Sequence, residues 1–244
     1  MIKKGLVSIQ VPVYNAMPHL KKTIQSLLDQ SYENWECIIV NDGSTDDTQF
    51  FLNSLTDHRF KVIDLKQNRG RPFARQVALD NAQWEYIAML DGDDFYSFDK
   101  LFDQVKYLDK NKDVDLVSSQ MFSFGYSKNY YRVRPLEKVC SKKIKYTGSE
   151  LVCAHGPSMF RHSLVGGHKY NQHLKLGQDM DFLKRIMLNK CYYIIPKIHY
   201  YYTELDSVST VKIQKTYNYK IQEVKKQKKH MGLCVFFIRK ILIR

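Results

Sequence analysis

Strands and helices alternate four times in the first 90 residues, and this alternation constrains the fold more than any other feature. Leu20, Ile24 and Leu27 have the spacing of one helix face after the first strand. Four short apolar segments predict the strands themselves: residues 6–11, 37–40, 61–65 and 86–90. Strands that are apolar throughout are typical of a parallel sheet with helices on both faces, so we predict a doubly wound α/β fold.

Polar side chains cluster directly after these predicted strands. In doubly wound sheets, ligands bind beyond the carboxyl ends of the strands, because the loops there meet at one edge. The clusters are Tyr14 with Asn15, then Asp42, then Asn68, and finally residues 91–94. We therefore predict a ligand site at this edge of the sheet.

The Asp91-Gly92-Asp93-Asp94 segment places three carboxylates within four residues. Such acids repel one another unless a cation neutralises them. Mn²⁺ or Mg²⁺ would suit these oxygen ligands and would also bind a diphosphate. The alternative is a solvated acidic turn in which Asp94 or Asp99 caps the next helix. The segment by itself fits both interpretations.

Two further carboxylates lie where a site residue is expected. Asp42 ends the second strand, where an acid commonly bonds a nucleotide's ribose or base, although Asn-Asp-Gly-Ser also favours an Asx-turn. Asp179 begins a helix predicted over residues 177–189. A carboxylate there can accept a proton from an attacking hydroxyl, or simply complement the helix N-terminus. Asp181 is predicted to point away from Asp179.

Composition argues against several other classes of protein. The apolar fraction of 44% and the charged fraction of 26% are ordinary for a globular chain. Five scattered cysteines without CxxC spacing and eight histidines without HxxxH spacing predict neither a disulfide framework nor a zinc site. No segment has the roughly 20 apolar residues that cross a bilayer, and the N-terminus lacks a signal-peptide pattern. We therefore expect a cytoplasmic protein.

The net charge of +13 is concentrated in the C-terminal tail. Residues 210–244 carry ten Lys or Arg against one acid, Glu223. The main domain is therefore only mildly basic, and without a nucleic-acid-binding motif we expect no nucleic-acid partner. Apolar and basic residues alternate near the C-terminus, which favours peripheral contact with an anionic membrane surface. The alternative is a helix packed on the domain.

An ordered set of motifs resembles family 2 glycosyltransferases. The set spans about residues 5–210 in the family's order. The segments resemble, in turn, the opening strand (7–15), the "DDGSxD" segment (40–46), the "N-x-G…A-R-N" stretch (68–76), the "DxDD" metal motif (90–94), the strand bordering the acceptor site (155–161) and the "G-E-D-x-D" segment (177–181).

This resemblance implies a GT-A fold, with a Rossmann-like, mostly parallel sheet and a mixed acceptor-side half. It also implies a nucleotide-sugar donor, such as a UDP-sugar, and inversion at the anomeric carbon. Asp93 would hold the metal, Mn²⁺ or Mg²⁺, and Asp179 would be the general base. The implied substrate-binding residues are Pro12, Tyr14, Asp42, Asn68, Arg75, Asp91 and Gly92.

We expect residues 1–210 to form the glycosyltransferase domain, with residues 1–97 as the nucleotide-sugar half, 98–210 as the acceptor half and 211–244 as a basic tail. The expected acceptor is a glycan or lipid-linked glycan of a bacterial surface polysaccharide such as capsule, O-antigen or exopolysaccharide. The alternative is a metal-dependent nucleotidyltransferase acting on sugar phosphates. Such an enzyme usually has a glycine-rich basic loop after the first strand, and residues 12–15 do not provide one.

Three departures from the family pattern are visible. Gln178 replaces the usual Glu, and Gln76 replaces the usual Asn after Ala-Arg. Tyr202 and Glu204 stand where many relatives carry Arg and His. Either Glu204 or His199 is a candidate to replace that histidine.

Overall fold

The computed structural model describes residues 5–125, 130–135 and 137–204. The tail predicted at residues 211–244, with its proposed membrane contact, lies outside this part of the chain. Residues up to Glu204 form one compact unit. Within the described ranges, no helix is long and apolar enough to cross a membrane.

The first half contains the four predicted parallel strands in the order β3-β2-β1-β4. Its α2 helix begins at Thr48, directly after Asp47. The elements are β1 (Val7–Val13), α1 (Leu20–Leu28), β2 (Trp35–Asn41), α2 (Thr48–Asn53), β3 (Phe60–Asp64), α3 (Arg71–Asp80) and β4 (Tyr86–Met89).

The second half extends the same sheet with mixed pairing. Strand β9 lies antiparallel to both β4 and β6, and the sheet continues through β10 to β5. Strand β7 pairs with β6, and β8 pairs with β10. The elements are β5 (Phe95–Tyr96), α4 (Lys100–Lys110), β6 (Leu116–Gly125), β7 (Tyr130–Arg134), β8 (Lys143–Lys145), β9 (Met159–Arg161), α5 (Gln178–Met187) and β10 (Cys191–Glu204).

Side chains of β1 show how the sheet is covered on both faces. Val7, Ile9 and Val11 pack in a core cluster that also holds Leu20 of α1 and Leu101 of α4. The intervening residues of β1 belong to the opposite face, since strand side chains alternate. That face is covered by a second cluster, which includes Ala74 and Ala78 of α3 and Phe182 and Leu183 of α5. The predicted two-sided α/β architecture is confirmed.

Candidate active site

The Asp91–Asp94 turn follows β4 at the carboxyl edge of the parallel strands. A Cβ at Gly92 would lie 2.7 Å from Val13 Cγ1, so this close approach to β1 requires glycine. Thr23 of α1 donates its hydroxyl to the carbonyl oxygens of Gly92 and Asp94, at 3.0 and 2.7 Å. The turn is therefore fixed from both the strand and the helix beside it.

Asp94 supports the turn from inside the protein. Its side chain is buried and accepts hydrogen bonds from Tyr200 Oη at 2.6 Å and from Thr203 N–H at 2.8 Å. Burial, with Asp93 and Asp91 nearby, raises the pKa of this carboxyl well above its ordinary value. The alternative in which Asp94 or Asp99 caps α4 is wrong. Asp99 makes no capping bond and accepts from Ser31 instead, while Gln30 Oε1 accepts the first-turn N–H of Leu101 at 3.1 Å.

Asp91 forms an ion pair with Arg75 of α3, with Asp91 Oδ1 2.9 Å from Arg75 Nη2. The Arg75 side chain is only 3% exposed, whereas Asp91 is 30% exposed. Burial opposes ionisation of Asp91, but the charges of Arg75 and Arg71 lower its pKa to about 2. Asp91 is thus ionised at neutral pH. The other terminal nitrogen of the guanidinium group, Arg75 Nη1, is buried without a hydrogen-bond partner among the described residues.

Asp93 is the acid of this turn that has neither the ion pair of Asp91 nor the two hydrogen bonds of Asp94. Burial raises the pKa of its carboxyl, and the adjacent Asp91 charge raises it further. None of the ion pairs formed within the described ranges involves Asp93. A half-buried carboxylate beside a second ionised acid suits a hard cation, so the chemistry of the turn fits Mn²⁺ or Mg²⁺.

Asp42 holds a neighbouring loop in place. Its buried carboxylate accepts the backbone N–H groups of Arg69 and Gly70, at 2.7 and 2.8 Å. A Cβ at Gly43 would lie 2.6 Å from the carbonyl carbon of Gln67, so the two loops meet backbone to backbone. The sequence did not predict this loop contact. The nucleoside contact predicted for Asp42 stays a prediction, as does the substrate-binding role of Asn68 in the loop beside Arg69.

The loops after β1 and β2 are joined by side-chain hydrogen bonds. Asn15 Oδ1 accepts Thr45 N–H at 2.8 Å, and Asn15 N–H donates to Ser44 Oγ at 2.9 Å. Next to this junction, Tyr14 is 48% exposed. Pro12 is half-buried at the end of β1. Both of these predicted substrate-binding residues therefore lie at the same edge as the carboxylate turn.

Asp179 lies in the first turn of α5, after Gly177, whose φ of 72° is in the left-handed region. Its charge acts on Arg75 and His155, although it lies far from both in sequence. The fold therefore brings Asp179 into the neighbourhood of the Arg75–Asp91 pair. Asp181 instead pairs with Arg185 on the same helix at 2.8 Å, in keeping with its predicted place outside the site.

A buried polar pair beside these residues was not predicted. His155 Nε2 lies 2.8 Å from Tyr170 Oη, and both side chains are buried. Burial, and then the charge of Arg75, lower the pKa of His155 to about 3, so the imidazole is neutral at pH 7. The motif at residues 155–161 contains the histidine, but Tyr170 lies in a segment without a predicted element. Only the fold brings the two together.

Strand β10 supports the carboxylate turn through Tyr200 and Thr203, whereas its candidate histidine, His199, makes its contacts elsewhere. His199 is buried, with Nδ1 2.7 Å from Ser97 Oγ and Nε2 3.1 Å from Asp103 Oδ2. Both ring nitrogens of His199 therefore have partners at or near α4, so we do not assign His199 as the replacement for the family's histidine. Only the backbone of Glu204 is described, so that candidate stays open.

Comparison with known sequences identifies a family profile and several relatives that match this chain. The profile of Glycosyl transferase family 2 matches residues 8–166. The putative teichuronic acid biosynthesis glycosyltransferase TuaG of Bacillus subtilis is 41% identical over 138 residues, which are 55% of this chain and 52% of TuaG. The uncharacterized glycosyltransferase MJ1057 of Methanocaldococcus jannaschii is 30% identical over 96% of this chain and 84% of its own length.

A third relative is WfaP of Escherichia coli, a UDP-Glc:alpha-D-GlcNAc-diphosphoundecaprenol beta-1,3-glucosyltransferase. It is 37% identical over 126 residues, covering 52% of this chain and 46% of WfaP. The chain thus spans about half the length of TuaG and WfaP in these alignments. Neither of these relatives is a nucleotidyltransferase, so nothing supports that alternative.

Solved structures with the same fold include two complexes. S. aureus TarS 1-349 with UDP-GlcNAc matches with a TM-score of 0.69 at 23% identity, over 82% of this chain and 58% of TarS. The mannosyltransferase PcManGT from Pyrobaculum calidifontis, with GDP-Man and Mn²⁺, has a TM-score of 0.59 at 18% identity, over 84% and 57%. At such identities these likenesses concern the fold alone, and the predicted GT-A fold is confirmed. With the family profile matching well over half of its residues, the chain belongs to glycosyl transferase family 2.

Proposed function

We propose that this enzyme transfers a sugar from a nucleotide-sugar donor, a UDP-sugar in the first instance, to a hydroxyl of a glycan or lipid-linked glycan. The observation that carries the proposal is the grouping of Asp93, the Arg75–Asp91 pair and Asp179 at one edge of the sheet. The names of TuaG and WfaP support a role in surface-polysaccharide synthesis, and the TarS complex supports a UDP-sugar.

The proposed reaction is a single displacement with inversion. An acceptor hydroxyl attacks the anomeric carbon while Asp179 accepts its proton, and the bond from that carbon to the nucleoside diphosphate breaks. Arg75 supports the assignment of a donor site, because its buried Nη1 has a hydrogen to donate and no described partner. The proposed donor-binding residues are Pro12, Tyr14, Asp42, Asn68, Arg75, Asp91 and Gly92.

Asp93 would hold a divalent cation, Mn²⁺ or Mg²⁺. When bound, such a cation stabilises the negative charge that develops on the leaving diphosphate. Among the described residues, no group of three His, Cys, Asp or Glu side chains could enclose an ion. Magnesium sites of nucleotide enzymes commonly use one or two carboxylates and complete their shell with phosphate and water oxygens. One uncompensated carboxylate at Asp93 is consistent with that kind of site.

The test is a screen of UDP-, GDP- and dTDP-sugars with and without Mn²⁺, using release of the nucleoside diphosphate as the readout. Asp93→Ala should abolish metal-dependent donor use. Asp179→Asn should retain donor binding and lose transfer by about 10²–10⁴-fold, the usual contribution of a general base. Asp181→Asn, on the same helix but paired with Arg185, is the matched control and should keep its activity.

Two results would contradict the proposal. Release of pyrophosphate instead of the nucleoside diphosphate would identify a nucleotidyltransferase. Full transfer by Asp179→Asn would remove Asp179 as the base while leaving the donor site untouched.

A further inference from the structure

Tyr170 contacts three elements that surround the candidate active site. Its backbone N–H donates to Gln76 Oε1 of α3 at 2.8 Å. Its hydroxyl lies 2.8 Å from His155 Nε2. Its ring stacks on Phe182 of α5, with 4.2 Å between centroids and 20° between planes. Tyr170 is itself only 2% exposed, so these contacts are held in a dense interior.

These partners lie next to the residues proposed for catalysis. Gln76 directly follows Arg75, which pairs with Asp91. Phe182 lies three residues after Asp179 and hence on the same side of α5. Tyr170 therefore connects the helix that carries the donor-site arginine with the helix that carries the proposed base.

Gln76 is oriented for this contact. Its Nε2 donates to Asp80 Oδ1 at 2.7 Å, one turn further along α3, which leaves Oε1 to accept from Tyr170. Gln76 is also the position where the sequence departs from the Ala-Arg-Asn pattern of the family. The longer glutamine side chain thus has a specific partner in this chain.

We propose that Tyr170 is a positioning residue that sets Asp179 relative to the Arg75–Asp91 pair, with Gln76 and His155 fixing Tyr170 in turn. This inference rests on the proposed role of Asp179 as the base. The ring of Tyr170 determines where the first turn of α5 lies, because Phe182, which stacks on that ring, belongs to the same helix as Asp179. Misplacing a reacting group by about 1 Å costs on the order of 10²-fold in rate.

The test compares Tyr170→Leu, which removes the stack and the hydroxyl, with Tyr170→Phe, which removes the hydroxyl alone. Tyr170→Leu should lower the kcat of transfer by on the order of 100-fold, and Tyr170→Phe by on the order of 10-fold. The Kd for UDP with Mn²⁺, measured by calorimetry, should stay within about twofold of wild type, because no donor-binding residue changes. Tyr146→Phe, another buried tyrosine in the same core cluster, is the matched control.

The split between kcat and Kd separates positioning from mere structural support. A Tyr170→Phe protein that unfolds at the wild-type temperature yet loses kcat supports the inference. Wild-type kcat in both variants would overturn it, and so would equal losses of UDP binding and transfer. Should Tyr170→Leu fail to fold, Tyr170→Phe alone decides the matter. Asp179→Asn in parallel keeps the two proposals apart, since its full activity would overturn the base and not the packing.

Discussion

Replacing Gly156 with alanine tests the packing beneath the carboxylate turn. A Cβ at this position would lie 2.6 Å from Tyr200 Cζ and 2.7 Å from Tyr200 Oη. Nonbonded carbon atoms are most favourable at about 3.5–4.0 Å, so the ring has to move by about 1 Å. Tyr200 is 1% exposed and donates to Asp94 at 2.6 Å, so the movement also stretches that hydrogen bond.

The expected loss of stability combines these two effects. Overpacking a dense core costs about 1–3 kcal/mol. Weakening a buried hydrogen bond costs about 1–3 kcal/mol when its partner is left unpaired. We expect Gly156→Ala to lower the free energy of unfolding by about 3 kcal/mol, a large part of the roughly 5–15 kcal/mol typical of a domain. The Asp91 N–H also contacts Tyr200 Oη, so metal-dependent donor affinity should fall as well.

Urea unfolding followed by circular dichroism measures this effect in a double-mutant cycle with Tyr200→Leu. Without the aromatic ring, Gly156→Ala should cost less than about 0.5 kcal/mol, because the clash is gone. The reasoning is refuted if Gly156→Ala changes the wild-type stability by less than about 0.5 kcal/mol, or if the two substitutions are additive.

Three other perturbations have clear expectations. Gly43→Ala, with φ at 68° and a Cβ 2.6 Å from Gln67 carbonyl carbon, should destabilise the protein in urea and weaken UDP binding. Gly167→Ala, with φ at 84° but open space around it, isolates the backbone strain of about 1–2 kcal/mol and should leave UDP binding intact. Burial, together with Lys100, lowers the pKa of His199 to about 4. The stability gained by burying the neutral His199 ring is therefore complete above pH 6.5 and is lost as the pH falls through 4. The urea midpoint of the wild-type protein should drop over that interval, and the midpoint of His199→Gln should drop less.

The parallel half of the fold could be predicted because its signals are local. Strands β1, β2 and β4 are mostly apolar and are buried along almost their whole length, and a strand buried on both faces needs no distant information to be recognised. The local sequence along β10 favours two separate strands, at residues 191–195 and 199–203. Pro196 and Lys197 interrupt its apolar pattern, and the pairing with β6 is irregular at the same place. The continuity of β10 depends on that pairing, which the local sequence does not show.

The candidate site, like the fold, could be predicted only where its signals are local. Asp93 and Asp179 could be named because each follows a recognisable strand or begins a recognisable helix, and these roles stay predictions. The contacts of Asp94 could not be predicted, since its partners lie more than 100 residues further along the chain. Tyr170 and His155 are only 15 residues apart, but Tyr170 lies in a segment without a predicted element, so their contact could not be predicted either.

The hydrogen bonds from β10 to Asp94 also imply a sequence of events during folding. Asp94 lies 106 residues before Tyr200 and 109 residues before Thr203, its two hydrogen-bond partners. Contacts so distant along the chain form late, because closing a long loop costs entropy before any contact repays it. During synthesis, the parallel strands leave the ribosome well before β10. The nascent chain therefore carries its acidic turn through the synthesis of more than 100 further residues without the strand that gives that turn its shape.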